Sequence, residues 1–239
     1  MPPINNLLIV SLSAGAGHVR AGEAIKKTAA ALYPDISVTH IDMMDYVSLP
    51  MKRAILDSYD LMIKRMPELW GYLYKKINEP GGQKRFNRLT DALKKMNSRA
   101  FYEYIAAAKP DAIICTHFLP ADVLNQGKKE YGITAPYSIV ITDYDSHSLW
   151  YVPGTDKYFV ATDKIRWKLE HRGARPGAVI VSGIPIDPIF YEAKPPAAKT
   201  PDKKKLLLLS GGQGLAAIDT VAKTLLTISS PLQITTIAG

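Results

Sequence analysis

The sequence has very little cysteine and no long apolar run, and both shortages narrow the classes of protein it can belong to. Cys115 is the one cysteine among 239 residues, which excludes an internal disulfide framework and a cysteine-rich metal site. We therefore expect a reducing compartment. No stretch approaches the ~20 apolar residues that span a bilayer. The N-terminus lacks the basic segment of a signal peptide, which predicts a cytoplasmic protein.

The spacing of the histidines argues against a metal site. The five histidines lack the close spacing of zinc ligands, and no cysteine pair accompanies them. We therefore predict no metal. His40 and His171 have no supporting sequence context, so we interpret both as structural or surface residues.

Positive charge is concentrated in one segment. Residues 51–100 hold twelve Lys or Arg and five Asp or Glu, so nearly all of the net charge of +8 lies there. Interleaved apolar and aromatic residues favour a helix in a membrane interface, although a helix pair packed on a sheet fits the pattern equally well. No RNA-binding motif accompanies the charge, so no nucleic-acid partner is expected. The residues predicted to associate with the membrane are Lys64, Arg65, Trp70, Tyr74, Lys75 and Lys76.

Alternating strand and helix patterns predict an α/β fold with a parallel, doubly wound sheet. A stretch rich in Pro, Ala and Lys then predicts a linker, after which a second strand, glycine turn and helix begin. We expect a complete Rossmann-like domain over residues 1–190, a linker over 191–204, and the start of a second Rossmann-like domain over 205–239. About 35 residues cannot close an open α/β sheet, so the chain is expected to end inside that second domain.

The glycine-rich turn after the first strand is the clearest functional signal. It reads Ser13-Ala14-Gly15-Ala16-Gly17-His18. Small residues let backbone N–H groups approach an anionic or hydroxyl-bearing ligand at a helix N-terminus, and histidine is well suited to move a proton near neutral pH. A partial match to a dinucleotide fingerprint, with Asp42 after the second strand, leaves an NAD(P)-dependent oxidoreductase as an alternative. A tight turn in which His18 only caps the helix is another.

Polar residues after two later strands fall at the same edge of the predicted sheet, where open α/β sheets bind ligands. Asp143 could orient or polarise a histidine, and His147 could contact a phosphate or hydroxyl. His117 could line a substrate cleft. The alternatives are that Asp143 caps a turn, that His147 is a solvated loop residue, and that His117 is a satisfied polar group at a strand end.

Several motifs in a fixed order resemble those of one family. They are the glycine turn ending at His18, Thr142-Asp143…His147…Trp150, Asp156-Lys157-Tyr158-Phe159-Val160-Ala161-Thr162-Asp163, Ser182-Gly183-Ile184-Pro185-Ile186 and Gly211-Gly212-Gln213-Gly214. Together they resemble the monogalactosyldiacylglycerol synthase and processive diacylglycerol glucosyltransferase family, which is similar to glycosyltransferase family 28. A more distant similarity is to the MurG-type N-acetylglucosaminyltransferases. The resemblance covers nearly the whole chain from Leu7 onward.

The resemblance implies a GT-B fold of two Rossmann-like domains and an inverting glycosyltransferase. Such an enzyme moves a hexose from UDP-glucose or UDP-galactose to the hydroxyl of diacylglycerol or a related lipid, as a peripheral protein on the anionic inner face of the cell membrane. The UDP-sugar is a co-substrate, and no cofactor is implied. His18 would be the general base and Asp143 its orienting or assisting carboxylate. The implied acceptor contacts are Gly15, Gly17, His117, His147 and Trp150, and the implied UDP-sugar contacts are Gly211, Gly212, Gln213 and Gly214.

Two further functions remain alternatives at the level of sequence. One is a lipid-binding fragment that attaches to a membrane surface without catalysis. The other is transfer from UDP-N-acetylglucosamine to a lipid-linked peptidoglycan precursor. Because most of a UDP-sugar domain would lie beyond Gly239, the chain is expected to be the acceptor-binding half of the enzyme.

Overall fold

A computed structural model describes residues 3–53, 57, 72, 75–76, 79, 98–192, 203–209 and 217–237. The chain divides into two compact units, Met1–Tyr191 and Glu192–Gly239. Within the described residues, no helix has both the length and the apolar character needed to cross a membrane.

The first unit is built on a sheet of six parallel strands, which confirms the predicted α/β fold. The strands lie in the order β2-β1-β3-β4-β5-β6. Both faces of a parallel sheet are normally covered, so its strands are apolar along their whole length. In β1, Leu8, Ile9 and Val10 are each at most 1% exposed. The strands are β1 (Asn6–Ser11), β2 (Ser37–Asp42), β3 (Ala112–Cys115), β4 (Tyr137–Val140), β5 (Lys157–Val160) and β6 (Val179–Val181).

Four helices connect these strands within the described residues of the unit. They are α1 (Ala16–Leu32), α2 (Arg99–Ala108), α3 (Phe118–Gly127) and α4 (Asp163–His171), and three short 3₁₀ helices span Met43–Tyr46, Ser148–Trp150 and Pro188–Phe190. The apolar pattern predicts a first helix only from residue 21, whereas α1 begins at Ala16. Glycine is a poor helix former, so Gly17 hides this first turn in the sequence. His18 therefore lies in the helix and not in the loop before it.

The order of the strands creates a crevice between β1 and β3. From β1 the chain runs to β2 on one side, then returns to pair β3 on the other side of β1. The direction of winding therefore reverses between β1 and β3. Open α/β sheets bind ligands at the carboxyl ends of the strands that flank such a reversal. His18 follows β1, and His117 follows β3.

The core of the sheet is aromatic, and two of its buried tyrosine hydroxyls are paired with main-chain carbonyls. Trp150, Tyr137, Tyr158 and Phe101 are the largest fully buried side chains. Tyr137 donates its hydroxyl to the Pro153 carbonyl at 2.9 Å, and Tyr158 donates to a main-chain carbonyl at 2.7 Å. Buried tyrosines need such partners, because an unpaired buried hydroxyl destabilises the fold. These hydrogen bonds therefore hold the two tyrosine rings in place within the core.

His40 lies in β2 and packs directly beneath α1. A Cβ atom added at Gly22 would lie 2.5 Å from His40 Nε2, so glycine is what lets the helix approach the ring. The same ring nitrogen pairs with the Ser11 hydroxyl at the end of β1. His40 therefore has a packing role in placing α1, the helix that carries His18.

The second unit contains one strand–helix–strand element in its described residues. Strand β7 (Lys204–Leu209) pairs in parallel with β8 (Leu232–Ile237), and α5 (Ile218–Leu226) connects them. This order is that of a βαβ element, which is the building block of Rossmann-like domains.

Candidate functional site

His18 is placed by the sharp turn that joins β1 to α1. Gly15 is the residue before the helix and has φ 147° and ψ 143°. Only glycine adopts this conformation without strain, because it lacks a Cβ atom. At Gly17, by contrast, an added Cβ would meet no atom within 4 Å. Gly15 is thus required by the backbone, whereas the space beside Gly17 is open.

Two oxygen atoms, from residues that follow two other strands, lie within hydrogen-bond distance of the Nδ1 atom of His18. The main-chain carbonyl of Thr116, after β3, lies at 3.1 Å. The Thr142 hydroxyl, after β4, lies at 2.7 Å. A carbonyl oxygen only accepts hydrogen bonds, so Nδ1 carries the proton in the neutral ring. The Nε2 atom therefore has the lone pair, which is the arrangement a general base requires.

Burial and charge act on His18 in opposite directions. Burial lowers its pKa below the ordinary value, because the charged imidazolium loses solvation. The nearby negative charge of Asp143 and the hydrogen bond to Thr116 raise the pKa and limit that fall. His18 is therefore neutral at pH 7, and its charged form is partly stabilised when it takes up a proton.

Asp143 makes its hydrogen bond to the wall of the site and not to His18. Its carboxylate accepts from the indole Nε1–H of Trp150 at 2.9 Å. The hydrogen bonds that orient His18 therefore come from Thr116 and Thr142, while Asp143 acts on His18 through its charge. Trp150 is 1% exposed, so this bond fixes the carboxylate against a rigid ring.

His117 is the residue before α3 and faces His18 edge to face. The ring centroids are 4.6 Å apart, with an interplanar angle of 89°. His117 Nδ1 accepts from the Leu119 N–H at 3.1 Å, so its neutral ring is protonated at Nε2. Burial and the neighbouring histidines His18 and His147 hold its pKa well below the ordinary value. His117 thus caps a helix and stays a neutral hydrogen-bond donor at pH 7.

His147 belongs to the same cluster and is half-buried. Its ring packs edge to face on Phe118, with centroids 5.1 Å apart, and lies 6.0 Å from the Trp150 ring. Burial, together with the charge of Arg172, lowers the pKa of His147 to about 4. It is therefore not a solvated loop residue. The structure brings His18, His117, Phe118 and His147 together around the ring of Trp150 at one edge of the sheet.

The loop that carries Thr142, Asp143 and His147 is anchored to α4 by ion pairs that the motif analysis missed. Asp145 pairs with Lys164 at 3.2 Å and with Lys168. Burial alone would raise the pKa of Asp145, but hydrogen bonds from Lys168, the Ser146 N–H and Lys164 lower it to about 2. The two lysines are four residues apart on a helix, a spacing that places them on one face. That spacing is the signal that could have identified the anchor.

The hydrogen bonds of Asp42 argue against the alternative that the protein is an NAD(P)-dependent oxidoreductase. Its Oδ1 atom accepts from the Ser13 N–H at 3.2 Å and from the Met44 N–H at 2.9 Å. The carboxylate therefore ties the glycine turn to the end of β2. In a dinucleotide site an acid at this position would bind a ribose hydroxyl instead.

Several predicted site residues lie outside the described residues: Gly211, Gly212, Gln213, Gly214, Lys64, Arg65, Trp70 and Tyr74. Lys75 and Lys76 are described, and both are exposed. The Nζ atom of Lys76 lies 3.0 Å from Glu79 and 5.8 Å from the centre of the Tyr72 ring. In the described part of the chain, no group of three or more His, Cys, Asp or Glu could hold a metal ion.

Comparisons with known proteins agree on one family and one fold. Residues 18–186 match the family model of monogalactosyldiacylglycerol (MGDG) synthase. A processive diacylglycerol beta-glucosyltransferase of Bacillus subtilis (strain 168) is 30% identical, over 87% of this chain and 54% of its own length. The protein of the same name from Staphylococcus aureus (strain MRSA252) is 26% identical, over 98% of this chain and 59% of its own.

Two solved structures share the fold at low sequence identity. One is S. aureus MnaA with UDP, with a TM-score of 0.51 and 12% identity over 98% of this chain and 62% of that one. The other is a UDP-N-acetylglucosamine 2-epimerase of Listeria monocytogenes, with a TM-score of 0.53 and 12% identity over 100% of this chain and 63% of that one. With the parallel sheet, these likenesses confirm the predicted Rossmann-like fold of GT-B type.

The chain spans little more than half the length of the curated relatives it matches, with 54% of the Bacillus subtilis protein and 59% of the Staphylococcus aureus protein covered. The family match, by contrast, covers most of this chain and includes every residue of the cluster around His18. The chain belongs to the monogalactosyldiacylglycerol (MGDG) synthase family.

Proposed function

We propose that the protein is an inverting glycosyltransferase that moves a hexose from a UDP-sugar to the hydroxyl of diacylglycerol at a membrane surface. The observation that carries the proposal is the environment of His18. Its Nδ1–H is fixed by Thr116 and Thr142, which leaves a basic Nε2 at the edge of the sheet where α/β proteins bind ligands. The relatives named above supply the substrate class.

The reaction needs a base because an alcohol is a poor nucleophile at pH 7. In our proposal His18 Nε2 removes the proton of the acceptor hydroxyl as its oxygen attacks the anomeric carbon. The bond between that carbon and UDP breaks on the opposite face, and UDP leaves with the electron pair. The configuration at the carbon inverts through an oxocarbenium-like transition state. The charge of Asp143 stabilises the imidazolium that forms on His18.

The cluster around His18 supplies groups suited to bind the acceptor. We assign acceptor contacts to His117 as a neutral donor, to His147, and to the backbone at Gly15 and Gly17, with the buried Trp150 ring as the wall behind them. The UDP-sugar contacts are assigned to Gly211, Gly212, Gln213 and Gly214, because glycine-turn N–H groups can stabilise a diphosphate. Such donors can offset the charge of the leaving group, so we propose that transfer needs no metal or cofactor.

The direct test is sugar transfer by the protein as encoded in full. It would be incubated with diacylglycerol in mixed vesicles and with UDP-glucose or UDP-galactose in parallel, and the glycolipid product measured. We expect transfer from at least one of the two donors, with UDP released in equal amount. We also expect activity to survive EDTA. Absence of glycolipid with both donors would refute the proposed reaction, and loss with EDTA would refute its independence of metal.

Membrane association is tested separately by co-sedimentation with vesicles. Each Lys or Arg near an anionic surface contributes about 1 kcal/mol, so the excess of seven positive charges over residues 51–100 is expected to support binding. We expect binding to vesicles rich in anionic lipid at low salt and much weaker binding at high salt. Replacing Lys75 and Lys76 with Glu should weaken binding, whereas Lys157→Glu, at the start of β5 and outside the basic segment, should not. Equal binding to neutral and anionic vesicles would refute the proposal that the positive charges of residues 51–100 attach the protein to the membrane.

A further inference from the structure

We infer that Thr142 is a positioning residue for the base: its hydroxyl, together with the Thr116 carbonyl, fixes the ring of His18 in the tautomer whose Nε2 is free. The inference deepens the proposed function, because it assigns a task to a side chain that touches His18. It can nevertheless be tested without any assay of sugar transfer.

The two acceptors near Nδ1 differ because one is a main-chain carbonyl and the other is a side-chain hydroxyl, and each follows a different strand. The Thr116 carbonyl belongs to the main chain after β3, and it is 98 residues from His18 in sequence. The Thr142 hydroxyl belongs to a side chain after β4, 124 residues from His18. One acceptor 3.1 Å from Nδ1 lets the ring tilt out of its hydrogen bond, so that the proton can exchange between the two ring nitrogens. Two acceptors from neighbouring strands fix the plane of the ring, and with it the tautomer.

Thr142 is suited to this task by its chemistry. A β-branched side chain has few χ1 rotamers, so its hydroxyl is held in place at little further cost in entropy. The distance of 2.7 Å from Thr142 Oγ1 to Nδ1 is shorter than that of 3.1 Å to the Thr116 oxygen. Thr142 also lies in the loop that Asp145 ties to α4. The position of the hydroxyl is therefore set by the scaffold and not by the histidine.

A hydroxyl can also donate to a ring nitrogen, and that arrangement would give the opposite tautomer. If Thr142 donated to Nδ1, the ring proton would move to Nε2 and His18 could not act as a base. The Thr116 carbonyl excludes this, because it has no proton to donate and would face a lone pair at 3.1 Å. The structure therefore predicts which tautomer is present, and nitrogen NMR measures it.

The first experiment is 15N NMR of the imidazole rings in this 239-residue chain at pH 7.5. The chain has five histidines, and a His18→Gln variant would identify the signals of His18. We expect protonated Nδ1 and unprotonated Nε2 in the wild type. Thr142→Val, which keeps the shape and removes the hydroxyl, should give exchange between tautomers, whereas Thr142→Ser should restore the wild-type signals. An unchanged single tautomer in Thr142→Val would overturn the inference.

The matched control is Thr155→Val. Thr155 is buried, and its hydroxyl donates to the Val152 carbonyl at 2.8 Å, at the opposite edge of the sheet. The same substitution there removes the buried hydrogen bonds of a threonine hydroxyl without touching His18. It should lower stability at least as much as Thr142→Val and leave the His18 signals unchanged. A change of tautomer in Thr155→Val would show a general effect of destabilisation and would overturn the specific role of Thr142.

The second experiment is kinetic and uses the protein as encoded in full. Thr142→Val should lower kcat about tenfold, as expected for loss of one oriented hydrogen bond, with little change in KM for the UDP-sugar. Thr142→Ser should recover most of that loss. A rise in KM with unchanged kcat would overturn positioning in favour of substrate binding. If the tautomer shifts as expected but the wild type transfers no sugar, the positioning role stands and the proposed function fails.

Discussion

Replacing His18 with alanine is expected to lower kcat for sugar transfer by about 10²- to 10⁴-fold, which is the range for loss of a general base. The acceptor hydroxyl would still bind next to the anomeric carbon, but no group would take its proton as the new bond forms. The loss should fall mainly on kcat, because His18 acts on the proton in the transition state. The measurement is initial-rate kinetics with vesicle-borne diacylglycerol and a saturating UDP-sugar.

The variant His18→Gln separates loss of the base from damage to the site. A glutamine amide can donate a hydrogen bond towards the Thr116 carbonyl, but it cannot accept a proton at pH 7. It is therefore expected to be as inactive as His18→Ala while unfolding at a temperature closer to the wild type. His171→Ala is the control for loss of a histidine, since His171 is exposed and bonds only locally to the Trp167 carbonyl, as far as the structure describes.

Turnover by His18→Ala at the wild-type rate would remove His18 as the base. Equal losses in His18→Ala and His171→Ala would show that the effect comes from the fold. A large loss in His18→Ala that His18→Gln fully recovers would mean that the hydrogen bond to Thr116, and not proton transfer, is what the reaction requires. The outcomes therefore distinguish proton transfer by His18, a hydrogen bond made by His18, and a general effect on the fold.

The sequence predicts the sheet well because each strand is a local apolar run. Leu8, Ile9 and Val10 are apolar in the sequence and buried on both sides in the structure. The position of His18 after such a strand was likewise a local signal. Its place in the first turn of α1 was not predicted, because Gly17 interrupts the helical pattern. Local patterns therefore locate elements better than they locate their ends.

The hydrogen-bond partners of His18 could not be predicted from the sequence, for a different reason. The Thr116 acceptor is a main-chain carbonyl, which every residue has, so no residue type marks it. Asp143 looked like the orienting group because a carboxylate is the expected partner of a catalytic histidine, but its oxygen is bonded to Trp150. Which of two neighbouring residues, Thr142 or Asp143, meets the ring depends on how β4 ends. That geometry is set by three-dimensional packing.

The substitution Asp143→Asn should change both the rate and its dependence on pH. An asparagine has nearly the same shape, and its side-chain oxygen can still accept from the Trp150 indole, so the site should keep its geometry. Only the negative charge is lost. That charge raises the pKa of His18 against the effect of burial, so the pKa should fall further in the variant. We expect a decrease in kcat of about 10- to 100-fold, because the imidazolium formed in the transition state is less stabilised.

The direction of the pH effect follows from which form of His18 is active. The neutral ring is the base, so kcat/KM should rise with pH through the pKa of His18, which lies below its ordinary value. We call this rising part of the plot of kcat/KM against pH its acid limb. In Asp143→Asn the acid limb should move to lower pH, and the constant value of kcat/KM reached at higher pH, the plateau, should be lower. Most damaging mutations lower the plateau alone. A downward shift of the limb together with a lower plateau is therefore specific to a lost charge near the base.

The control is the same substitution at Asp156. Its carboxylate accepts from the Tyr137 N–H at 3.0 Å at the opposite edge of the sheet, and asparagine can keep that bond. Asp156→Asn should therefore leave both the acid limb and the plateau at their wild-type positions. If Asp143→Asn lowers the plateau without moving the limb, Asp143 matters for binding or shape and its charge does not reach His18. If neither changes, proton transfer from the acceptor depends on His18, Thr116 and Thr142 alone.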